Sequence, residues 1–316
     1  MSIPLVSIAC ITYNHEKYIK DAIEGFLMQI TDFPIEIIIH DDASTDATAD
    51  IISQYEKKHP GLIKPIYQKE NQYSKGIKPS TNYVWPKCSG KYIALCEGDD
   101  YWTDPYKLQK QIDFMEKNPG YTLCSGGYEE YNVITGERKS ISSNKRNRKQ
   151  EGYTFGLEDM VKAWLPKTIT VVFRKDSLSG YDANRYKYSR DTHLYYHLIK
   201  KGKGYYFNQI FGVYRKHPGG VYSSHEVRIN LTHTCNVYKE LYEHNKDDFT
   251  RRAYLQSIMV LFNYDLYHTD NENTFDNRIK LFSDALKLSR SIKDYARIFI
   301  SFIPHRLKNY IRNMQA

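Results

Sequence analysis

The sequence predicts an α/β protein, a doubly wound, mostly parallel sheet followed by a helical C-terminal region. Three observations carry this expectation. Short apolar runs alternate with stretches of helical period as far as Lys117, with short joins between them. The apolar runs are continuous, as in central strands. Beyond about Val221 the chain keeps a helical character and shows no further strand signal.

Val6 to Ile11 reads as the first buried strand, and Tyr18, Ile19, Ala22, Ile23, Phe26 and Leu27 then mark one apolar helix face. Ile35 to Ile39 is the second strand and ends at His40-Asp41-Asp42. Ser44 offers an N-cap to a helix with Ile51, Ile52 and Tyr55 inward, running to about Lys58. Lys64 to Tyr67 is a short third strand. A polar stretch from Gln68 to Ser80 leads into a helix ending near Cys88, and the strand Tyr92 to Cys96 follows. Asp104-Pro105 has the form of an N-cap and a first-turn proline, opening a helix to Lys117. Thr122 to Ser125, Ile169 to Arg174 and Tyr205 to Arg215 are further strand-like runs. Residues 138 to 151 are nearly devoid of apolar side chains, rich in Lys and Arg, and read as a mobile loop. The expected division is a sheet domain over 1–222 and a helical region over 223–316.

At 316 residues and 41% hydrophobic content the chain is large enough for a substantial core, and its 29 tyrosines suit half-buried contact surfaces. The five cysteines (Cys10, Cys88, Cys96, Cys124, Cys235) have no metal-type spacing and an odd count, so a reduced, cytoplasmic setting is expected. The N-terminus lacks a basic segment and its apolar run stops at Ile11, unlike a secretory signal. No window approaches 18 apolar residues. The net charge of +8 concentrates in one loop and the tail, which argues against a nucleic-acid groove and leaves anionic membranes and phosphorylated small molecules.

Glu97-Gly98-Asp99-Asp100-Tyr101-Trp102 follows the strand ending at Cys96. Carboxylates in that place stand at the rim of an open sheet, where ligands bind. They suit Mg²⁺ or Mn²⁺ that also touches a diphosphate. An acidic turn capping the next helix is the plainer alternative, but Asp104 already serves that end. Thr12-Tyr13-Asn14 closes the first strand; the tyrosine can stack on a base, or the tripeptide is an ordinary polar loop. Asp41-Asp42 closes the second strand and can accept from a base N–H or ribose hydroxyls, or form a capping loop with Ser44.

Taken together, Val6-Ser7-Ile8 running into Thr12-Tyr13-Asn14, Asp41-Asp42-Ala43-Ser44-Thr45-Asp46, Glu70-Asn71-Gln72, Gly90-Lys91-Tyr92-Ile93 and Asp99-Asp100 resemble the family 2 glycosyltransferases of the GT-A fold, over about residues 3 to 220. The resemblance implies nucleoside contacts at Tyr13 and Asp42, with Thr12, Asn14 and Asp41 beside them. It implies ribose and donor-sugar contact at Asp99, and a divalent metal, Mn²⁺ or Mg²⁺, at Asp100. Glu97 stands where relatives often have another aspartate. Trp102 either walls the sugar pocket or packs in the core. Relatives often carry an arginine before the asparagine that here is Asn82; this chain has Thr81, so a phosphate contact passes to Lys75 or Lys78.

Inverting transfer needs a base for the acceptor hydroxyl. Asp191, in Arg190-Asp191-Thr192-His193-Leu194 before a helix, matches the family's position for it; an N-cap aspartate is the alternative. Val213 to Pro218 resembles the segment that closes over the diphosphate. There His217 is either a metal ligand or a loop residue, and Arg215 or Lys216 can meet phosphate. From Lys287 to Ala316 seven Lys/Arg face one acid, Asp294, among apolar residues at near-helical spacing broken by Pro304. That suits a helix on an anionic membrane, or one packed on its own domain with a solvated basic face. The expected function is metal-dependent, inverting transfer of a sugar from a nucleotide-diphosphate sugar, by family habit a UDP-sugar. The acceptor is a hydroxyl of a glycan or lipid-linked molecule in surface polysaccharide synthesis, at the inner face of the cytoplasmic membrane. A sugar nucleotidyltransferase would show a glycine-rich loop, and residues 12 to 20 contain no glycine. A catalytically silent, membrane-tethered nucleotide-sugar binder is the other alternative.

Overall fold

The structure, a computed structural model, describes residues 3–141, 150–162, 166–220, 226–268 and 272–302. The chain divides into two compact units, residues 1–220 and 221–316.

The first unit is built on one ten-stranded sheet. It begins β1 (Val6–Thr12), α1 (Ile19–Leu27), β2 (Ile35–Asp41), α2 (Thr48–Lys58), β3 (Ile63–Tyr67) and β4 (Tyr92–Glu97). After the short β5 (Tyr101–Trp102) come α3 (Lys107–Lys117), β6 (Tyr121–Asn132), β7 (Arg138–Ile141), β8 (Gly152–Phe155), α4 (Leu157–Lys162), β9 (Val172–Arg174), α5 (Asp191–Lys201) and β10 (Lys203–Lys216). The sheet order is β3-β2-β1-β4-β9-β6-β10-β5, with β7 on β6 and β8 on β10. Strands β3, β2, β1 and β4 are parallel neighbours. β9 is antiparallel to both β4 and β6, and β10 is parallel to β6, so β6 and β10 point the same way as the first four. The doubly wound, mostly parallel core therefore stands, with antiparallel β5, β7, β8 and β9 added to it.

Continuous apolar runs form the middle of this sheet because both faces are covered. Ile8, Cys10, Ile37, Ile39, Ala94 and Cys96 pack with Ile19, Ile23 and Phe26 of α1, Ile52 of α2, and Leu108, Ile112 and Met115 of α3. Burying each large side chain contributes about 1.5–3 kcal/mol. At the opposite end of the strands from the rim, Glu36 is 1% exposed. It accepts hydrogen bonds from Ser7 Oγ (2.6 Å), Ser89 N (2.6 Å), Ser89 Oγ (2.7 Å) and Lys64 Nζ (2.7 Å), which ties β1, β2, β3 and the approach to β4 together. Burial works to raise its pKa, but the bonds from Lys64, Ser7 and Ser89 prevail and hold it at about 2.

Several elements differ from the sequence expectation. The helix expected before Cys88 is a π-helical turn over Ser80–Val84 and a 3₁₀ turn over Trp85–Lys87. Pro79 and Pro86, which carry no N–H, punctuate it. β6 runs well past Ser125 because its second half pairs with β7 and β10. β7 lies inside the stretch expected to be a mobile loop; residues 142–149 of that stretch are outside the described residues. β5, β7 and β8 are too short to carry an apolar period of their own.

The second unit contains α6 (Val227–Asn245), α7 (Asp248–His268), α8 (Glu272–Leu288) and α9 (Ile292–Phe302). Cys235, Leu255, Ile258, Leu261, Ala285, Leu288 and Ile298 form its core. Arg251 donates to Leu288 O (2.8 Å) and pairs with Asp294 (2.9 Å), which fastens α9 onto α7. Residues 292–302 of the basic tail thus pack on their own unit, while Pro304 and the rest of the tail lie outside the described residues. Among the described residues no helix is long and apolar enough to cross a membrane.

Candidate active site

Strands β1, β2, β4 and β10 run in one direction, so their carboxyl ends share one edge of the sheet. Thr12 is in register with Asp41, and Ile11 with Glu97. Gly98 makes this convergence feasible: a Cβ there would lie 2.6 Å from Thr12 Oγ1. Thr12 is 3% exposed, and its hydroxyl has no hydrogen-bond partner among the described residues.

Asn14 and Ala43 both adopt left-handed backbone, with φ of 54° and 62°. Asn14 tolerates it by bridging the two loops: its N–H donates to Ser44 Oγ (2.8 Å), and its Oδ1 accepts from Thr45 N (2.8 Å). Asp41 accepts from Ser44 N at 3.2 Å, and Asp42 accepts from Gln72 N (2.8 Å) and Tyr73 N (2.9 Å). These carboxylates are almost fully buried and set the shape of the rim. The Tyr13 ring is 42% exposed beside them, a flat surface open to solvent.

Asp99 stands between two imidazoles. His217 Nε2 is 3.0 Å from Asp99 Oδ2, and His15 Nε2 is 3.8 Å from the same oxygen. One ligand atom from each of the three lies within 4.8 Å of the others. His15 Nδ1 is buried without a hydrogen-bond partner among the described residues. Burial lowers the His15 pKa and Asp99 only partly opposes this, which favours neutral imidazole. Burial works to raise the Asp99 pKa, but the His217 hydrogen bond and the two neighbouring imidazoles prevail and hold it low. Two imidazoles and a carboxylate suit a divalent transition ion such as Mn²⁺.

Asp100, expected as the metal ligand, does not join this group. Its side chain is buried and accepts the Arg215 backbone N–H at 2.8 Å; burial and the neighbouring Asp99 and Glu97 push its pKa well up. Among the described residues, the candidate ligand group is therefore Asp99, His217 and His15. Arg215 completes the arrangement: it donates to the Asp99 carbonyl at 3.0 Å, pairs with Asp21, and lies 4.3 Å over the Tyr101 ring.

Trp102 is corrected as well. It is 1% exposed, donates from Nε1 to Ile169 O at 2.7 Å, and packs against Phe26 and the buried Lys107. Its ring belongs to the core and walls no sugar pocket. Lys78 lines a cleft with Lys75 and Lys187.

Asp191 is the first helical residue of α5, and Arg190 holds the N-cap position. Its carboxylate accepts from Thr192 N (2.8 Å) and Thr168 Oγ1 (3.3 Å). Its surface is reached by solvent, yet desolvation by the surrounding protein raises its pKa against Lys167, the Thr192 N–H, Arg190 and Thr168. Glu97 is raised by burial, then by the charges of Asp99 and Asp191, with Lys167 opposing. The acidic turn and the α5 terminus thus share one electrostatic field. Lys167, whose ammonium lies 3.3 Å from the Tyr214 ring centroid, is its central cation. Sequence reasoning missed both His15 and Lys167. His15 directly follows Thr12-Tyr13-Asn14, and that adjacency was the available signal; Lys167 carried none.

A mostly parallel sheet presenting nucleotide-type loops and an acidic turn at one edge defines an α/β protein of the GT-A type. Residues 7–170 match the description "Glycosyl transferase family 2", and the chain belongs to that family of transferases. An uncharacterised protein of Mycobacterium tuberculosis (strain H37Rv) is 48% identical over 119 residues, which span 38% of this chain and only 34% of that protein. The putative teichuronic acid biosynthesis glycosyltransferase TuaG of Bacillus subtilis is 29% identical over 213 residues, covering 67% of this chain and 79% of TuaG. The Escherichia coli protein WfaP, a UDP-Glc:alpha-D-GlcNAc-diphosphoundecaprenol beta-1,3-glucosyltransferase, is 40% identical over 133 residues, 42% of this chain and 50% of WfaP. Among solved structures, S. aureus TarS residues 1–349 with UDP-GlcNAc superposes with a TM-score of 0.66 at 17% identity, covering 90% of this chain and 81% of that one. The Pyrobaculum calidifontis mannosyltransferase PcManGT with GDP-Man and Mn²⁺ gives 0.57 at 16% identity, covering 95% and 80%. At these identities the structural likeness is one of fold.

Proposed function

We propose that this chain is an inverting glycosyltransferase that moves a sugar from a nucleotide-diphosphate sugar, a UDP-sugar, to a hydroxyl of a glycan or lipid-linked acceptor in surface polysaccharide synthesis. The observation that carries the reading is the meeting of Asp99, His217 and His15 within 4.8 Å at the sheet edge, in the same electrostatic field as Asp191. The activities named for TuaG and WfaP, and the UDP-GlcNAc bound by TarS, support the donor and acceptor classes.

In this reading the exposed Tyr13 ring stacks on the base, and Asp41 and Asp42 hold the loop backbone that frames it. Asp99, His217 and His15 would hold Mn²⁺ or Mg²⁺; the buried His15 Nδ1, with no hydrogen-bond partner among the described residues, and the preference of His15 for the neutral form fit that group. When bound, such an ion supplies Lewis-acid neutralisation of the leaving diphosphate. Asp191 takes the acceptor hydroxyl proton on a carboxylate oxygen, and its raised pKa makes it the stronger base. Lys167 keeps that carboxylate charged before transfer. Positioning of the acceptor oxygen against the anomeric carbon supplies the rest.

Calorimetric titration of UDP, GDP, CDP and dTDP, each with and without Mn²⁺, tests this. Manganese-dependent binding of UDP, lost in Asp99→Asn, is expected. If none of the four binds to folded protein with metal present, the reading is wrong. Contact with an anionic membrane at its inner, cytoplasmic face is proposed for the end of the tail, with Arg306, Lys308 and Arg312. Flotation on anionic liposomes should weaken on deleting 303–316, and equal flotation would exclude that contact.

A further inference from the structure

A second cleft, of about 640 Å³, opens between the segment after β3 and the segment before α5. Lys75 and Lys78 come from the first segment and Lys187 from the second, with no acidic side chain in the lining. Lys75 is paired with Glu70, which lies outside the lining. Lys78 is half-buried and has no carboxylate partner among the described residues.

The walls are tied together. The side-chain amides of Asn82 and Asn184 bond each other reciprocally, at 3.2 and 3.3 Å. One wall is anchored to the nucleotide rim, because Tyr83 Oη donates to Gln72 Oε1 at 3.0 Å and Gln72 N donates to Asp42 at 2.8 Å. The other is anchored to the helix bearing the base: the Tyr186 ring packs 4.3 Å from that of His193, two residues beyond Asp191. Whatever fills this cleft lies beside the Asp42 loop on one side and the start of α5 on the other.

We propose that this cleft is an anion subsite for the acceptor, taking a phosphate or diphosphate that the acceptor carries while its hydroxyl is presented to Asp191. The inference rests on the glycosyltransferase reading above. The donor's diphosphate is already provided for at Asp99 and His217, and Lys187 belongs to the segment that leads into the base. Ammonium groups act as point charges without the planar fork that selects carboxylates, so they suit tetrahedral phosphate in several ester forms. Lys78 accordingly moves from the donor's nucleotide to the acceptor.

The test titrates full-length protein, saturated with UDP and excess Mn²⁺, with glycerol 3-phosphate and with geranyl diphosphate, using sulfate as the control anion. At least one phosphate probe should bind more tightly than sulfate without displacing UDP. Lys187→Gln and Lys78→Gln should each weaken that probe about tenfold, the loss expected for one charge-assisted hydrogen bond. In Lys187→Gln the affinity for UDP should be unchanged. A preference for geranyl diphosphate assigns a lipid diphosphate, and a preference for glycerol 3-phosphate assigns a polyol phosphate. Displacement of UDP by the probe, equal weakening of UDP and probe in Lys187→Gln, or no effect of either substitution would each overturn the proposal. Repeating the titration without UDP keeps the cleft testable if the nucleotide itself fails to bind.

Discussion

Replacing Glu36 with glutamine removes the one buried carboxylate that ties β1, β2, β3 and the start of β4. The fold holds this carboxyl at about 2, against an ordinary value of 4.5 in the unfolded chain. Since the folded value is the lower one, its stabilisation is complete above about pH 5 and is lost as pH falls through 2. A difference of that size corresponds to about 3 kcal/mol at neutral pH. Lys64, 48% exposed, is partly screened by solvent, which brings the expectation to about 2–3 kcal/mol. All three tryptophans, Trp85, Trp102 and Trp164, lie in residues 1–220, so urea unfolding followed by tryptophan fluorescence reports on that unit. Glu36→Gln should lose about 2–3 kcal/mol at pH 7, and its stability should stay flatter than that of the wild type between about pH 5 and pH 2. Parallel curves through that window, or a loss below about 1 kcal/mol at pH 7, would refute the account of this network.

At the rim, Asp191→Asn should lower kcat by about 10²- to 10⁴-fold with UDP affinity intact, as measured by sugar transfer and by calorimetry. His15→Gln should weaken Mn²⁺-dependent UDP binding at least tenfold, on the order of losing one metal ligand or its support, and leave metal-free binding alone. Trp102→Ala should destabilise the sheet unit by about 3–5 kcal/mol, read by denaturant unfolding, because the ring is core. A change confined to donor KM, without that loss of stability, would return Trp102 to the sugar pocket.

The parallel half of the sheet was legible because strands covered on both faces must be apolar throughout, as Val6 to Ile11, Ile35 to Ile39 and Tyr92 to Cys96 are. The polar residues closing those runs marked the functional edge. The sequence does not reveal which oxygen faces which neighbour. Asp99 and Asp100 are adjacent and chemically alike, yet one faces two histidines and the other a backbone N–H, and only the turn through Gly98 decides between them. Trp102 is buried because β5 pairs with β10 in a two-residue ladder, a contact between residues far apart in the chain and too short to show as a period. His217 reaches Asp99 because β10 runs parallel to β4, which depends on the antiparallel β9 inserted between β4 and β6.

The clasp formed by Arg215 has a consequence for how such a chain can diversify. Its N–H holds Asp100 and its guanidinium holds the Asp99 carbonyl, bonds that bridge 115 and 116 residues of sequence. The intervening chain is therefore a closed excursion with both ends pinned at the acidic turn. It contains Lys187 and Asp191, both on the acceptor's side of the proposed reaction. Insertions or exchanges in its loops that leave β6 and β9 paired can be absorbed without moving Asp99 or His217, so in the proposed reaction the acceptor side can vary while the donor side is inherited unchanged.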